Sequence, residues 1–119
     1  VMDYSDQQLE SERIVAQREG YEITICKGDM TEPFPFGDGA FDLIFHPVAN
    51  CYVEDVLPIW RECHRVLIPG GVLLSGLDNG INFLFDDAEQ EMAYTLPYNP
   101  LKNPELYAKS VENGWGIQC

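Results

Sequence analysis

A chain of 119 residues is about one small domain, and 45% hydrophobic with 23% charged residues reads as globular rather than disordered. No run of about 18 or more apolar residues is present, which excludes a transmembrane helix; no signal peptide is visible, but the first residues already read as the tail of a strand, and a cytoplasmic protein is expected from its reduced thiols. Twenty acidic against 7 basic residues give a net charge of −13, which repels phosphate backbones and anionic lipid; no nucleic acid and no membrane is expected as a partner.

The same charge suits a small or cationic substrate, or simply a solvated surface. The four cysteines, Cys26, Cys51, Cys63 and Cys119, form no C-x-x-C pair. Cys63 and His64 are neighbours that point about 100° apart on a helix, so no metal site is expected. Reduced thiols, with Cys26 and Cys63 buried, account for them.

In chain order, Val1 to Tyr4 reads as the end of a strand. Ser5-Asp6-Gln7-Gln8 fits a capping box, with Ser5 as cap and Gln8 reaching back to it. The helix runs from Asp6 to about Glu19, where Gly20 supplies a left-handed stop. Its apolar stripe is thin: Leu9, Ile14, Val15 and Ala16. Glu22 to Cys26 is short and β-branched, which predicts a strand ending before Gly28-Asp29. The stretch from Thr31 to Gly39 is loop, punctuated by proline and glycine. Phe41 to Phe45 is a mostly apolar run, as expected for a parallel strand covered on both faces.

From Val53 the period changes. Val53, Val56, Leu57, Trp60, Cys63, His64 and Leu67 recur at helical spacing. Pro58 is tolerable only in the first turn, so the helix is expected to start near Glu54. Ile68-Pro69-Gly70-Gly71 ends it, and Val72 to Ser75 is the next strand. The order β-α-β-loop-β-α-β argues for an α/β fold with a parallel sheet. Beyond Gly76 the pattern loosens. Ile81 to Phe85 fits strand or helix, Asp86 to Met92 a helical turn or two, and Glu105 to Val111 a short helix in an irregular segment. Two regions follow: a core over 1–76 and a covering, substrate-side segment over 77–119.

Ligands of open parallel sheets bind outside the carboxyl ends of the strands. Those ends carry Asp3, Gly28-Asp29-Met30, His46-Pro47 and Ser75-Gly76. A strand-end acid can accept hydrogen bonds from ribose hydroxyls, and an acid one strand over can take an adenine amine. Met30 and Tyr4 could sandwich the ring. The pattern leaves the choice of nucleotide open. It also admits a plainer reading: Asp3 as a turn residue, Asp29 as the cap of a glycine turn, and His46 and Asn50 as loop hydrogen-bonders.

Four segments, in this order and spacing, resemble a class I S-adenosylmethionine (SAM)-dependent methyltransferase of the small-molecule type. They are Val1-Met2-Asp3-Tyr4-Ser5, Gly28-Asp29-Met30, Pro35-Phe36 with Ala40-Phe41-Asp42-Leu43-Ile44, and Glu62 through Gly71. The resemblance covers roughly 1–76 and implies a Rossmann-like parallel sheet. It implies that Asp3 holds the ribose hydroxyls of SAM, that Asp29 meets the adenine amine, and that Met30 lies against the ring with Tyr4 nearby. His46 begins the loop that meets the methionine part of SAM and the substrate. His46 is then the candidate general base, with Asn50 and Tyr52 as orienting groups. That loop reads His46-Pro47-Val48-Ala49 rather than the Asn/Asp-Pro-Pro-Tyr associated with amino nitrogens of bases, which speaks against such substrates.

The sequence departs from the family in two places. No G-x-G turn precedes Asp3, and the last two strands have no counterpart, so the chain is expected to be an incomplete central part of the enzyme. Exposed sheet edges would then invite pairing with a second copy, a homo-oligomer. Two rival readings stand beside this one. An NAD-type Rossmann domain also uses a strand-end acid for ribose; a non-catalytic binding or assembly module needs no cofactor.

Overall fold

The computed structural model describes residues 1–86 and 88–118. Cys119 lies outside them. The chain divides into two units, Val1–Asp42 with Leu57–Val72, and Leu43–Val56 with the chain from Leu73 onward.

In the first unit, strand β1 (Met2–Asp3) leads into helix α1 (Asp6–Glu19). Ser5 Oγ accepts the Gln8 amide at 3.4 Å, as a cap should. The return arm differs from the expected capping box. The Ser5 amide donates to Asp3 Oδ1 at 2.7 Å, so an Asx turn takes the place of the Gln8 side chain. Gly20 ends the helix at φ 74°, its amide reaching Ala16 O. Leu9 and Ala16 are buried, whereas Ile14 is exposed, so the stripe is even thinner than its sequence. The helix packs on β1 and on β2 (Cys26–Lys27).

β1 and β2 pair in parallel, Met2 opposite Cys26 and Asp3 opposite Lys27. The expected strand over Glu22–Cys26 is therefore only its last residue plus one more. Val1 O accepts the Cys26 amide, and the Val1 amino group donates to Thr24 O. At the far end the Gly28 amide bonds Asp3 O at 3.1 Å. A side chain at Gly28 would begin 2.8 Å from Met2 Sδ, so the turn fits closely against β1.

Helix α2 (Leu57–Val66) begins three residues later than expected, with Pro58 in its first turn where its missing amide costs nothing. Its buried face is Ile59, Cys63 and Val66. Of the expected face only Cys63 is buried; Leu57 and His64 are exposed, and Leu67 already belongs to the next strand. Three- and four-residue spacing fits either stripe, and tertiary packing chooses the phase.

The same helix fixes the proline-rich loop. Glu62 Oε2 accepts the Phe34 amide at 2.7 Å. Arg65 donates to Phe34 O, Phe36 O and Asp38 Oδ1 while gripping Glu62 through Nε and Nη2. Phe34 is buried, and Phe36 meets Phe41 edge-on at 4.9 Å. A loop without backbone ladders is thus held by one guanidinium and one carboxylate. The Arg65 guanidinium, then the Phe34 amide, bring the Glu62 carboxyl down to about 2. A carboxyl depressed on folding contributes stability above its unfolded value, lost as pH falls through the folded one. Stability should therefore decline from about pH 4.5 toward about 2, with a slope of about one proton from this group. Denaturant midpoints across that range should show the slope flattening by that amount in Glu62→Gln. An unchanged slope would remove Glu62 as the cause.

β3 (Phe41–Pro47) and β4 (Leu67–Gly76) form a second strand pair, separate from the first. The Gly39 amide bonds Arg65 O before it, and the Val48 amide bonds Gly76 O beyond it, in the order of a parallel pair. β4 runs straight through Pro69-Gly70-Gly71, where the sequence suggested only a helix stop. Gly70 supplies φ 86°, and a side chain at Gly71 would begin 3.0 Å from Ile68 O. The expectation of two covered faces on β3 is corrected: Leu43 and Phe45 are 58% and 65% exposed.

The second unit is built of turns. A 3-10 turn spans Ala49–Tyr52 after Val48, which sits at φ 49°, a strained value for a β-branched residue. Another spans Gly80–Leu84, where the sequence left strand or helix open. Phe85 bridges Met92 in antiparallel fashion, and the Asp86 amide bonds Glu91 O, so a tight reversal replaces the expected helical turn; Asp87 within it lies outside the described residues. Helix α3 (Pro104–Glu112) is one residue longer at each end than expected and is capped by Asn103 Oδ1. Among the described residues no helix is long and apolar enough to cross a membrane.

Candidate functional site

Candidate residues fall into one cluster in each unit. In the first, parallel pairing of β1 and β2 puts Asp3 and the Gly28-Asp29-Met30 turn at adjacent carboxyl ends. Asp3 Oδ1 holds the Ser5 amide. Asp29 Oδ1 holds both the Thr31 hydroxyl at 2.7 Å and the Thr31 amide at 2.8 Å, and these bonds lower its carboxyl below the usual range. The plain reading as turn residues is therefore realised by one oxygen of each acid. The other oxygen, Oδ2, of each has no hydrogen bond among the described residues. Two carboxyl groups are thus each oriented through one oxygen, with the other left over.

Met30 is partly buried beside Asp29. Tyr4 is exposed, and the group over its ring is the Lys27 ammonium at 6.0 Å, itself paired with Asp6 at 2.7 Å.

In the second unit His46 lies on the last turn of β3, with both ring nitrogens sealed from solvent. Asn50 follows on the 3-10 turn. Its Oδ1 is also sealed, and it accepts no hydrogen bond among the described residues. Tyr52 Oη accepts from Gln118 Nε2 at 3.3 Å. The Cys51 thiol donates to Val48 O, and burial, then the Asp78 charge, push it up. A cavity of about 510 Å³ opens here between Asn50, Cys51, Asp78, Phe83, Leu96 and Tyr98. Phe83 and Tyr98 stack at 5.1 Å and separate it from a second cavity, about 430 Å³, that reaches Ser110 and Trp115.

The structure thus brings Asp3 and Asp29 together, and places His46, Asn50 and Tyr52 along one short segment. Sequence reasoning missed Asp78, Phe83 and Tyr98. Asp78 had a signal: it stands two residues beyond the carboxyl end of β4, where the same rule singled out Asp3. The aromatic pair had none, because its partners come from segments without a period. Among the described residues no group of three or more His, Cys, Asp or Glu side chains is placed to hold a metal.

Comparison with known proteins bears on the fold and the family. The chain is 45% identical over 125 residues to the uncharacterized methyltransferase YbaJ of Bacillus subtilis, covering 99% of this chain and 49% of that protein. It spans about half the length of that relative. Among solved structures, the YcgJ protein of Bacillus subtilis superposes with a TM-score of 0.57 at 31% identity, over 62% of this chain and 32% of that one. An S-adenosylmethionine dependent methyltransferase from Mesorhizobium loti gives 0.56 at 27% identity, over 71% of this chain and 38% of that one. The short parallel pairs with flanking helices are accordingly part of a Rossmann-like class I methyltransferase fold. With residues 1–75 matched by the model of the methyltransferase domain family, from the Asp3 strand end to the last residues of β4, the chain belongs to that family.

Proposed function

We propose that this chain is part of an enzyme that transfers a methyl group from SAM to a small-molecule acceptor. The observation that carries the reading is the pair Asp3 and Asp29, each turned by one oxygen and leaving the other for a ligand. Ribose hydroxyls and an adenine amine are donors, and ionised acceptors at strand ends suit them. SAM, when bound, supplies an electrophilic methyl on a sulfonium. The chain's own part is to bind and orient. Asp3 takes the ribose side and Asp29 the adenine side, with Tyr4 and Met30 as apolar neighbours. His46 serves the methionine side.

His46 is also the candidate base, with Asn50 and Tyr52 orienting the acceptor. Positioning and exclusion of water carry most of the rate in such a transfer. Residues 1–76 form the cofactor part and 77–119 the acceptor side. The family match and the SAM-dependent neighbour favour this over an NAD-type domain.

Calorimetric titration of SAM into the polypeptide that carries this chain tests the reading. Asp3→Ala should weaken binding by about 1.5–3 kcal/mol, one to two decades, because a charged acceptor is lost. Unchanged affinity would remove Asp3 from the site. Binding of NAD in place of SAM would transfer the case to the rival domain.

A further inference from the structure

We propose that the cavity between Asn50 and Asp78 is the binding site for a small amine with an apolar, ring-bearing body. The proposal rests on the reading above for its role as acceptor site, but its chemistry is argued from the cavity alone. Asn50 and Asp78 stand just beyond the carboxyl ends of β3 and β4, the paired strands of the second sheet. Both line one cavity of about 510 Å³, inside the range of small-molecule sites.

Asp78 brings a carboxylate to the lining, close enough to the Cys51 thiol of the same lining to push it up. Asn50 lines the cavity too, with its Oδ1 sealed from solvent. An ammonium group suits a lining carboxylate best, as a charge-assisted donor. A carboxylate or phosphate ligand would meet Asp78 and no lining cation. The remaining lining is apolar: Phe83, Leu96, Pro97 and Tyr98, with the Phe83–Tyr98 stack nearly parallel at 7°. That wall suits a flat apolar body. The net charge of −13 would further concentrate cations around the chain.

Binding is measured by calorimetry on the polypeptide carrying this chain, with three probes of one shape: 2-phenylethylamine, 2-phenylethanol and 3-phenylpropionate. The amine should bind about tenfold or more tighter than the alcohol, and tighter still than the carboxylate. Asp78→Asn, which keeps the shape, should cut the preference of amine over alcohol about tenfold. Equal affinity for the three probes in the unaltered protein overturns the proposal, whatever the variant does. So does an amine preference that Asp78→Asn leaves intact. The SAM titration is separate: its failure with amine preference retained sinks the methyl-transfer reading and leaves this site standing.

Discussion

Ile59→Ala lowers the stability of the protein by about 2–5 kcal/mol, the range for truncating a buried isoleucine. Ile59 is 1% exposed on α2, beside Cys63 and Val66 at equally low exposure. Truncation removes the transfer free energy of three carbons and leaves a void that rigid neighbours fill only in part. Ile59→Val should cost about 0.5–1.5 kcal/mol at the same site. Leu57, two residues earlier on the same helix, is half exposed, so Leu57→Ala should stay within about 0.5 kcal/mol. Urea midpoints of the three variants decide between two phases of one helix. Equal losses at Leu57 and Ile59 would mean that the stripe read from the sequence, not the one in the structure, faces the core.

That comparison also marks where the sequence was legible. Helix α1 was readable to the residue, because Ser5 and Gly20 are local signals whose partners lie within four positions. Helix α3 was expected only over Glu105–Val111; its local start signals, Asn103 and Pro104, were present but not read. The placing of Asp3 and the Gly28-Asp29-Met30 turn at adjacent carboxyl strand ends was readable, since it follows from parallel topology. What failed was decided at long range. The phase of α2 depends on what packs against it, and period alone permits both stripes. The length of β2 depends on its pairing with β1, which a local β-branched run does not reveal. The exposure of Leu43 and Phe45 depends on what lies over them, which composition does not reveal.

The candidate site divides along the same line. His46, Asn50 and Tyr52 were singled out because they stand at or just after the end of an apolar run, and the structure puts them at the end of β3 and on the turn that follows. The stack of Phe83 on Tyr98 joins positions fifteen apart in a stretch with no period, and the reversal at Phe85 and Met92 that lies between them gives little warning. The loop clamp of Arg65 on Phe34 and Phe36 was hidden too, since an arginine in L-x-P-G-G context looks like any solvent-facing cation. Long-range hydrogen bonds leave no periodic trace.

His46→Ala should lower turnover by at most the ~10²–10⁴ typical of losing a general base, and should not abolish it. Methyl transfer asks for nucleophile, methyl and sulfur in line, which positioning supplies, so a base helps only while the nucleophile holds a proton at working pH. His46 sits at the carboxyl end of β3, the end at which ligands of such sheets bind. Both its ring nitrogens are sealed from solvent, so a substrate proton reaches them only after the ligand displaces what seals them. That places the expected loss toward the lower end of the range. Across about pH 6 to 9, a base role predicts a pH-dependent limb in the rate that disappears in His46→Ala. His46→Gln keeps hydrogen bonding but is no base; if it restores the rate, His46 positions the acceptor rather than taking its proton. Full turnover in His46→Ala across the same range would reduce His46 to a loop residue and pass the orienting role to Asn50 and Tyr52.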